Sequence, residues 1–113
     1  MVLVVNMKLG MGKGNIGAQC AHAAVGAFGI ARKKAPNTLR WWEMMGAAKI
    51  VVKGENDDML FQLQDTARRS GIVTYLVEDA GRTQISAGSR TVLAMGPAPA
   101  SVFEGISGHL KLL

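Results

Sequence analysis

Cysteine is almost missing from this chain: Cys20 stands alone, so no disulfide can form within the sequence, and no cysteine and histidine spacing matches a structural zinc site. A reducing compartment suits such a chain. Aromatic residues are also scarce, with three Phe, two Trp and one Tyr, too few for the stacking platforms of RNA-recognition modules. Charged residues make up only 19% of the sequence against 49% hydrophobic, which excludes a disordered tail. Long apolar runs are absent too, each falling short of the roughly 18 residues that a membrane span needs, so no membrane contact is expected through this domain. The opening Met1 to Asn6 has neither a basic leader nor a small-residue cleavage site and reads as a buried strand, with a cytoplasmic location expected. The 113 residues make one domain, 1–113, small enough that a second copy in a homodimer would help to cover apolar surface.

Acid is in short supply as well. Eight Asp and Glu face thirteen Lys and Arg, a formal charge of +5 that attracts polyanions and makes their binding sensitive to salt. RNA is the natural candidate, although many basic proteins never touch it. With so few aromatics, recognition of phosphates and chain ends fits better than base stacking.

Apolar Val2–Val5 predicts a central strand that runs into the glycine-rich Gly10-Met11-Gly12-Lys13-Gly14. From Asn15 to about Lys34 the chain is alanine-rich and helical, with Ala18, Ala21, Val25 and Phe28 at helical spacing as its apolar face, ending at Pro36-Asn37. Thr38–Met45 predicts a short helix, Ala48–Lys53 a strand, and Met59 to about Arg69 a helix capped by Asn56 or Asp57. Ile72–Val77 and Ser89–Met95 predict two more strands, and a short helix follows near Ser101–Ile106. Helices between strands give the fold class: α/β, a single-domain layered fold whose four-stranded mixed, mainly parallel sheet is flanked by helices.

In open α/β sheets the loops beyond the strands' carboxyl ends make the site, and two such loops carry polar residues: Asn6–Gly14 and Glu78–Thr83. Asn15, Gln19 and His22, at i, i+4 and i+7, share one helix face; a solvated stripe or a core histidine is the plain alternative. Gly12-Lys13-Gly14-Asn15-Ile16-Gly17 matches the dinucleotide fingerprint in spelling only, because Arg32-Lys33-Lys34 occupies the place of the ribose-binding acid. The glycines instead permit a tight turn with amides at a helix start. Asp79, after a strand and before Gly81, is placed to orient water, with Lys13 and Thr83 as donors and Thr91 positioning Asp79 or the water. An Asx-type turn closing a β-hairpin is the plain alternative for Asp79 and Thr83, and local sequence alone favours it slightly. Cys20 and His22 are two positions apart and diverge on a helix, so Cys20 reads as a packing residue.

Asp79-Ala80-Gly81-Arg82-Thr83-Gln84, with Met11-Gly12-Lys13-Gly14 and Gln19-Cys20-Ala21-His22-Ala23, resembles the signature of the type 2 (archaeal and eukaryotic) peptidyl-tRNA hydrolases, and the likeness extends from Met1-Val2-Leu3-Val4-Val5 to Gly108-His109-Leu110-Lys111. That resemblance implies hydrolysis of the ester joining a peptide to its tRNA, a dimeric four-stranded α/β domain, and no metal or cofactor. It implies Lys13, Asp79, Thr83 and Thr91 as catalytic residues and Gln19 and His22 as substrate contacts. Lys8, Asn15, Arg82 and Arg90 complete the expected substrate-binding set, with peptidyl-tRNA and not DNA as the partner. A terminal anchor beyond this sequence would permit mitochondrial association.

Family members commonly read Val-Val-Arg-x-Asp-Leu and Met-Gly-Lys-Gly-Lys where this chain has Val4-Val5-Asn6-Met7-Lys8-Leu9 and Met11-Gly12-Lys13-Gly14-Asn15. Three charged positions differ while the local net charge is kept. The alternative to an active hydrolase is a catalytically weakened relative that acts as a tRNA-binding or protein-interaction module.

Overall fold

In the computed structural model, residues 1–79 and 88–113 are described. Four strands, β1 (Val2–Asn6), β2 (Ile50–Gly54), β3 (Thr74–Glu78) and β4 (Arg90–Met95), form one sheet in the order β2-β1-β4-β3. β1 and β2 are parallel neighbours, whereas β4 runs antiparallel to both β1 and β3. Three strands therefore point one way, although only one neighbouring pair is parallel.

Alternation along the strands divides the core into two layers. Leu3, Val5, Val92, Ala94 and Val77 face helices α1 (Lys13–Lys34) and α2 (Pro36–Met44), with Leu39 and Trp42 buried among them. Val2, Val4, Val52, Leu93 and Met95 face α3 (Asp57–Arg69), α4 (Glu104–Ser107) and the 3₁₀ turn Ala100–Phe103. The C-terminal segment covers the outer edge of β2, where the Leu113 N–H donates to the Val51 carbonyl and the Lys53 N–H to that of Lys111.

The face that α1 buries differs from expectation. Gln19, Ala23, Ala27 and Ala31 are its buried residues, whereas Val25 is 72% exposed and Ala18 and Ala21 also face solvent. Methyl side chains at every fourth position let the helix axis approach the sheet closely, so a stripe of alanines outcompetes one holding the larger Val25. Gly26 adds to the close fit, since a Cβ there would strike the Tyr75 ring of β3. Pro36 occupies the first turn of α2, and the preceding Ala35 leaves the helical region as a residue before proline tends to (φ −144°, ψ 56°). Asn56 caps α3, its Oδ1 accepting from the Met59 N–H at 2.9 Å.

Candidate active site

Because β4 opposes its neighbours, the carboxyl ends of β1, β2 and β3 and the start of β4 lie at one pole of the sheet. Asn6, Gly54, Glu78 and Arg90 are the terminal residues of those strands, so polar side chains gather there.

Asn6 is the best-connected of them. It is 1% exposed; its Nδ2 donates to Asp57 Oδ1 and to the Arg90 carbonyl, both at 2.8 Å, and its Oδ1 accepts from the Lys8 N–H at 3.1 Å. One amide thus ties β1 to β4, to the first residue of α3 and to the 3₁₀ turn Met7–Leu9 that starts the loop toward Lys13. Gly54 permits that approach, as a Cβ there would lie 2.8 Å from Val4 Cγ1 and 2.9 Å from Leu60 Cδ1. Gly10 ends the 3₁₀ turn at φ +61°, where a residue with a Cβ would be strained. Gly12 and Gly14 have open space where a Cβ would stand.

On the other side of the sheet the Thr91 hydroxyl donates to Gln19 Oε1 at 2.8 Å, with both residues buried. Alternation from Leu93 and Met95 would point Thr91 toward α3 instead. A bulge redirects it: Val77 pairs with Val92 but Glu78 pairs with Arg90, leaving Thr91 as the extra residue, turned toward α1 beside Val92.

Asp79 is 5% exposed at the foot of the β3–β4 hairpin. Its N–H donates to the Ser89 carbonyl and its own carbonyl accepts from the Gly88 N–H, each at 2.8 Å. Arg90 braces the same place. Its Nη1 donates to the Gly88 carbonyl at 2.7 Å, its Nη2 lies 3.9 Å from Glu78 Oε2, and its guanidinium carbon stands 5.5 Å from the Phe61 ring centre.

Lys13 is exposed at the start of α1, six residues before Gln19 and so about 9 Å beyond it along the helix. Asn15, one turn before Gln19, is half-buried, Lys8 is exposed on the 3₁₀ turn, and His22 is exposed on α1. The stripe foreseen for Asn15, Gln19 and His22 is therefore graded: Gln19 turns into the core and His22 to solvent. Thr83 and Arg82, with the rest of residues 80–87, lie outside the described residues. Burial pushes the Cys20 thiol up from its ordinary value, which suits a packing residue. Among the described residues no group of three His, Cys, Asp or Glu is placed to hold a metal.

Asn6, Asp57 and Phe61 did not stand out in the sequence as site residues. Asn6 carried a signal, as the one polar residue closing an otherwise apolar strand; Asp57 and Phe61 resemble any helix-start acid and surface aromatic.

Fold and site together define a small three-layer α/β protein whose polar groups gather beyond the ends of its strands. The family described as Peptidyl-tRNA hydrolase PTH2 matches residues 1–113. The mouse (Mus musculus) protein "Peptidyl-tRNA hydrolase 2, mitochondrial" is 48% identical over 112 residues, 99% of this chain and 62% of that protein. "Probable peptidyl-tRNA hydrolase 2" of Drosophila melanogaster is 52% identical over 113 residues, 100% of this chain and 61% of the fly protein. "Peptidyl-tRNA hydrolase" of Thermococcus onnurineus is 42% identical over 112 residues, 99% of this chain and 95% of the archaeal protein. This chain belongs to the peptidyl-tRNA hydrolase 2 family. It spans about three fifths of the length of the mouse and fly relatives.

Proposed function

We propose that this protein hydrolyses the ester between a peptide, or an N-blocked amino acid, and the terminal ribose of tRNA, returning free tRNA to translation. The reading is supported by a single arrangement in a chain of this family: Asp79, just after β3, and the buried Gln19–Thr91 pair, beside the start of β4, lie at one pole of the sheet. Water attacks the ester carbonyl carbon, the bond to the ribose oxygen breaks, and the proton lost by water ends on that oxygen. Asp79 orients the water. The only hydroxyl proton of Thr91 is committed to Gln19, so Thr91 acts on the water by accepting from it. Lys13, beyond the sheet's end, supplies positive charge for the oxyanion, with Thr83 as a second donor. Asn15 and His22 are the substrate-facing residues of α1, with Lys8 and Arg82 toward the tRNA, while buried Gln19 acts by holding Thr91. Arg90 serves the loop that carries Asp79, through the Gly88 carbonyl. No cofactor is required by this scheme.

A homodimer is part of the reading, supported by the apolar surface of Trp41, Met44, Met45 and Ile50, exposed by 49, 79, 68 and 49%. Among the described residues no helix is long and apolar enough to cross a membrane. The proposed location is the cytoplasm, where tRNA is used, with mitochondrial association if further sequence supplies an anchor. Turnover of N-acetylaminoacyl-tRNA by the protein and its Asp79→Ala variant tests the mechanism: the variant keeps its fold and loses cleavage. Equal turnover by the two would remove Asp79 from the reaction.

A further inference from the structure

The pole opposite Asp79 holds a second feature. The last turns of α1 and α3 carry Arg32, Lys33 and Lys34 and Arg68 and Arg69. Cations at helix C-termini offset the helix dipole, which accounts for each cluster alone. It does not account for their convergence. α1 and α3 pack on opposite faces of the sheet, yet Lys34 and Arg68 line one cleft of about 390 Å³ around the start of edge strand β3, floored by Gly71, Val73 and Thr74. Among the described residues no carboxylate lines that cleft. The carboxylate nearest in sequence, Asp65, is engaged by Arg69 at 2.6 Å. Arg68 is also held in direction, because its Nε donates to the Thr74 hydroxyl at 3.3 Å, and Thr74 is 8% exposed. That bond leaves the two terminal nitrogens of the guanidinium, the fork that grips a phosphate.

We infer that the Lys34–Arg68 cleft is a phosphate-binding subsite for the tRNA backbone, at the far end of edge strand β3 from Asp79. This rests on the peptidyl-tRNA reading and deepens it. β3 connects the two places: from Thr74 to Asp79 is on the order of 17 Å at about 3.3 Å per residue. An RNA strand laid along that edge meets cations at one end and the ester-cleaving site at the other. The cleft therefore sets affinity and register, not chemistry.

The test is the salt dependence of binding to deacylated tRNA, which needs no cleavage. A Lys34→Gln/Arg68→Gln protein loses two phosphate contacts, so the slope of log affinity against log salt shrinks by roughly 1.4–1.8, a loss on the order of 25–60-fold at 0.1 M salt. Its KM for N-acetylaminoacyl-tRNA rises with kcat unchanged. Arg68→Lys alone keeps most of the slope, because the slope counts charge, and loses part of the affinity along with the fork that the Thr74 bond orients. A Lys33→Gln/Arg69→Gln protein, with the same charge removed outside the cleft, changes the slope far less. Equal losses in the two double variants, or an unchanged slope in the first, would overturn the subsite. If the unsubstituted protein cleaves nothing while its tRNA affinity follows Lys34 and Arg68, the hydrolase reading fails and the subsite stands; cleavage with indifference to both residues fails the subsite alone.

Discussion

Replacing Thr91 by valine keeps the shape of the side chain and deletes one hydroxyl. In the folded protein that hydroxyl donates to Gln19 Oε1, at 2.8 Å between two buried residues, so the variant leaves a buried carbonyl oxygen without its partner. An abandoned buried acceptor costs about 1–3 kcal/mol. For a domain of this size, ~2 kcal/mol lowers Tm by roughly 6–12 °C. Urea unfolding followed by the fluorescence of buried Trp42 measures the loss. Substituting both partners, Gln19→Leu with Thr91→Val, replaces a polar pair by an apolar one and recovers part of the stability, giving a coupling of about 1 kcal/mol or more. Thr91→Ser keeps the bond. Turnover follows a different rule: a water that loses its acceptor is misplaced, which costs on the order of 10²-fold in kcat. Additive losses in the cycle would mean that the two side chains do not act as a pair, and unimpaired turnover by Thr91→Val would exclude Thr91 from the reaction.

Arg90→Gln is expected to lower kcat while leaving KM and the salt slope of tRNA binding in place, because its guanidinium is spent on the Gly88 carbonyl and Phe61; a rise in KM with a slope reduced by about 0.7–0.9 would make it a phosphate contact instead. Asn6→Asp sets a second carboxylate 2.8 Å from Asp57, so the protein loses about 1–3 kcal/mol at pH 7. The crowded pair raises the folded-state pKa, so stability is present at low pH and lost as pH rises through the carboxylate range; urea midpoints at pH 4 and 7 that differ no more than in the unsubstituted protein would refute this. Burial raises the Cys20 thiol, so its thiolate fraction at pH 8 lies below that of a free cysteine and alkylation accelerates only at higher pH. Rapid alkylation at pH 7 with parallel loss of activity would restore Cys20 as a nucleophile.

The strands and helices were legible because each apolar run is short and flanked by glycine, proline or a capping residue, as at Ser70-Gly71 and Asn56. The mixed sheet was partly legible: eleven residues between Glu78 and Arg90 are too few for a crossover with its helix, so β4 had to fold back beside β3 as a hairpin. The buried face of α1 was not legible, since alanine stands on several faces of that helix and hydrophobicity cannot choose among them. Only the sheet chooses, by admitting the stripe that lets the backbone come closest. The face on which Thr91 stands was hidden for a related reason. It depends on one extra residue in β4, and a bulge leaves no mark in the alternation of Thr91-Val92-Leu93-Ala94.

The exchange at the end of β1 reads differently in sequence and in structure. On paper Asn6 stands where the family resemblance leads one to expect an arginine, a lost charge beside a candidate catalytic loop. In the folded chain Asn6 both donates and accepts: it binds Asp57 and the Arg90 carbonyl with its amide nitrogen and receives the Lys8 N–H with its oxygen. A guanidinium has five donors and no acceptor, so it could make the first two bonds but never the third. The third bond is the one that caps the start of the 3₁₀ turn from which the loop departs toward Gly10 and Lys13. Here the loop is anchored by a neutral amide at its root, and the charge removed from position 6 reappears on exposed Lys8, at the surface where a polyanion can reach it. The substitution therefore moves a cation from a place of support to a place of contact, which accounts for an altered charge arrangement without requiring a weakened site.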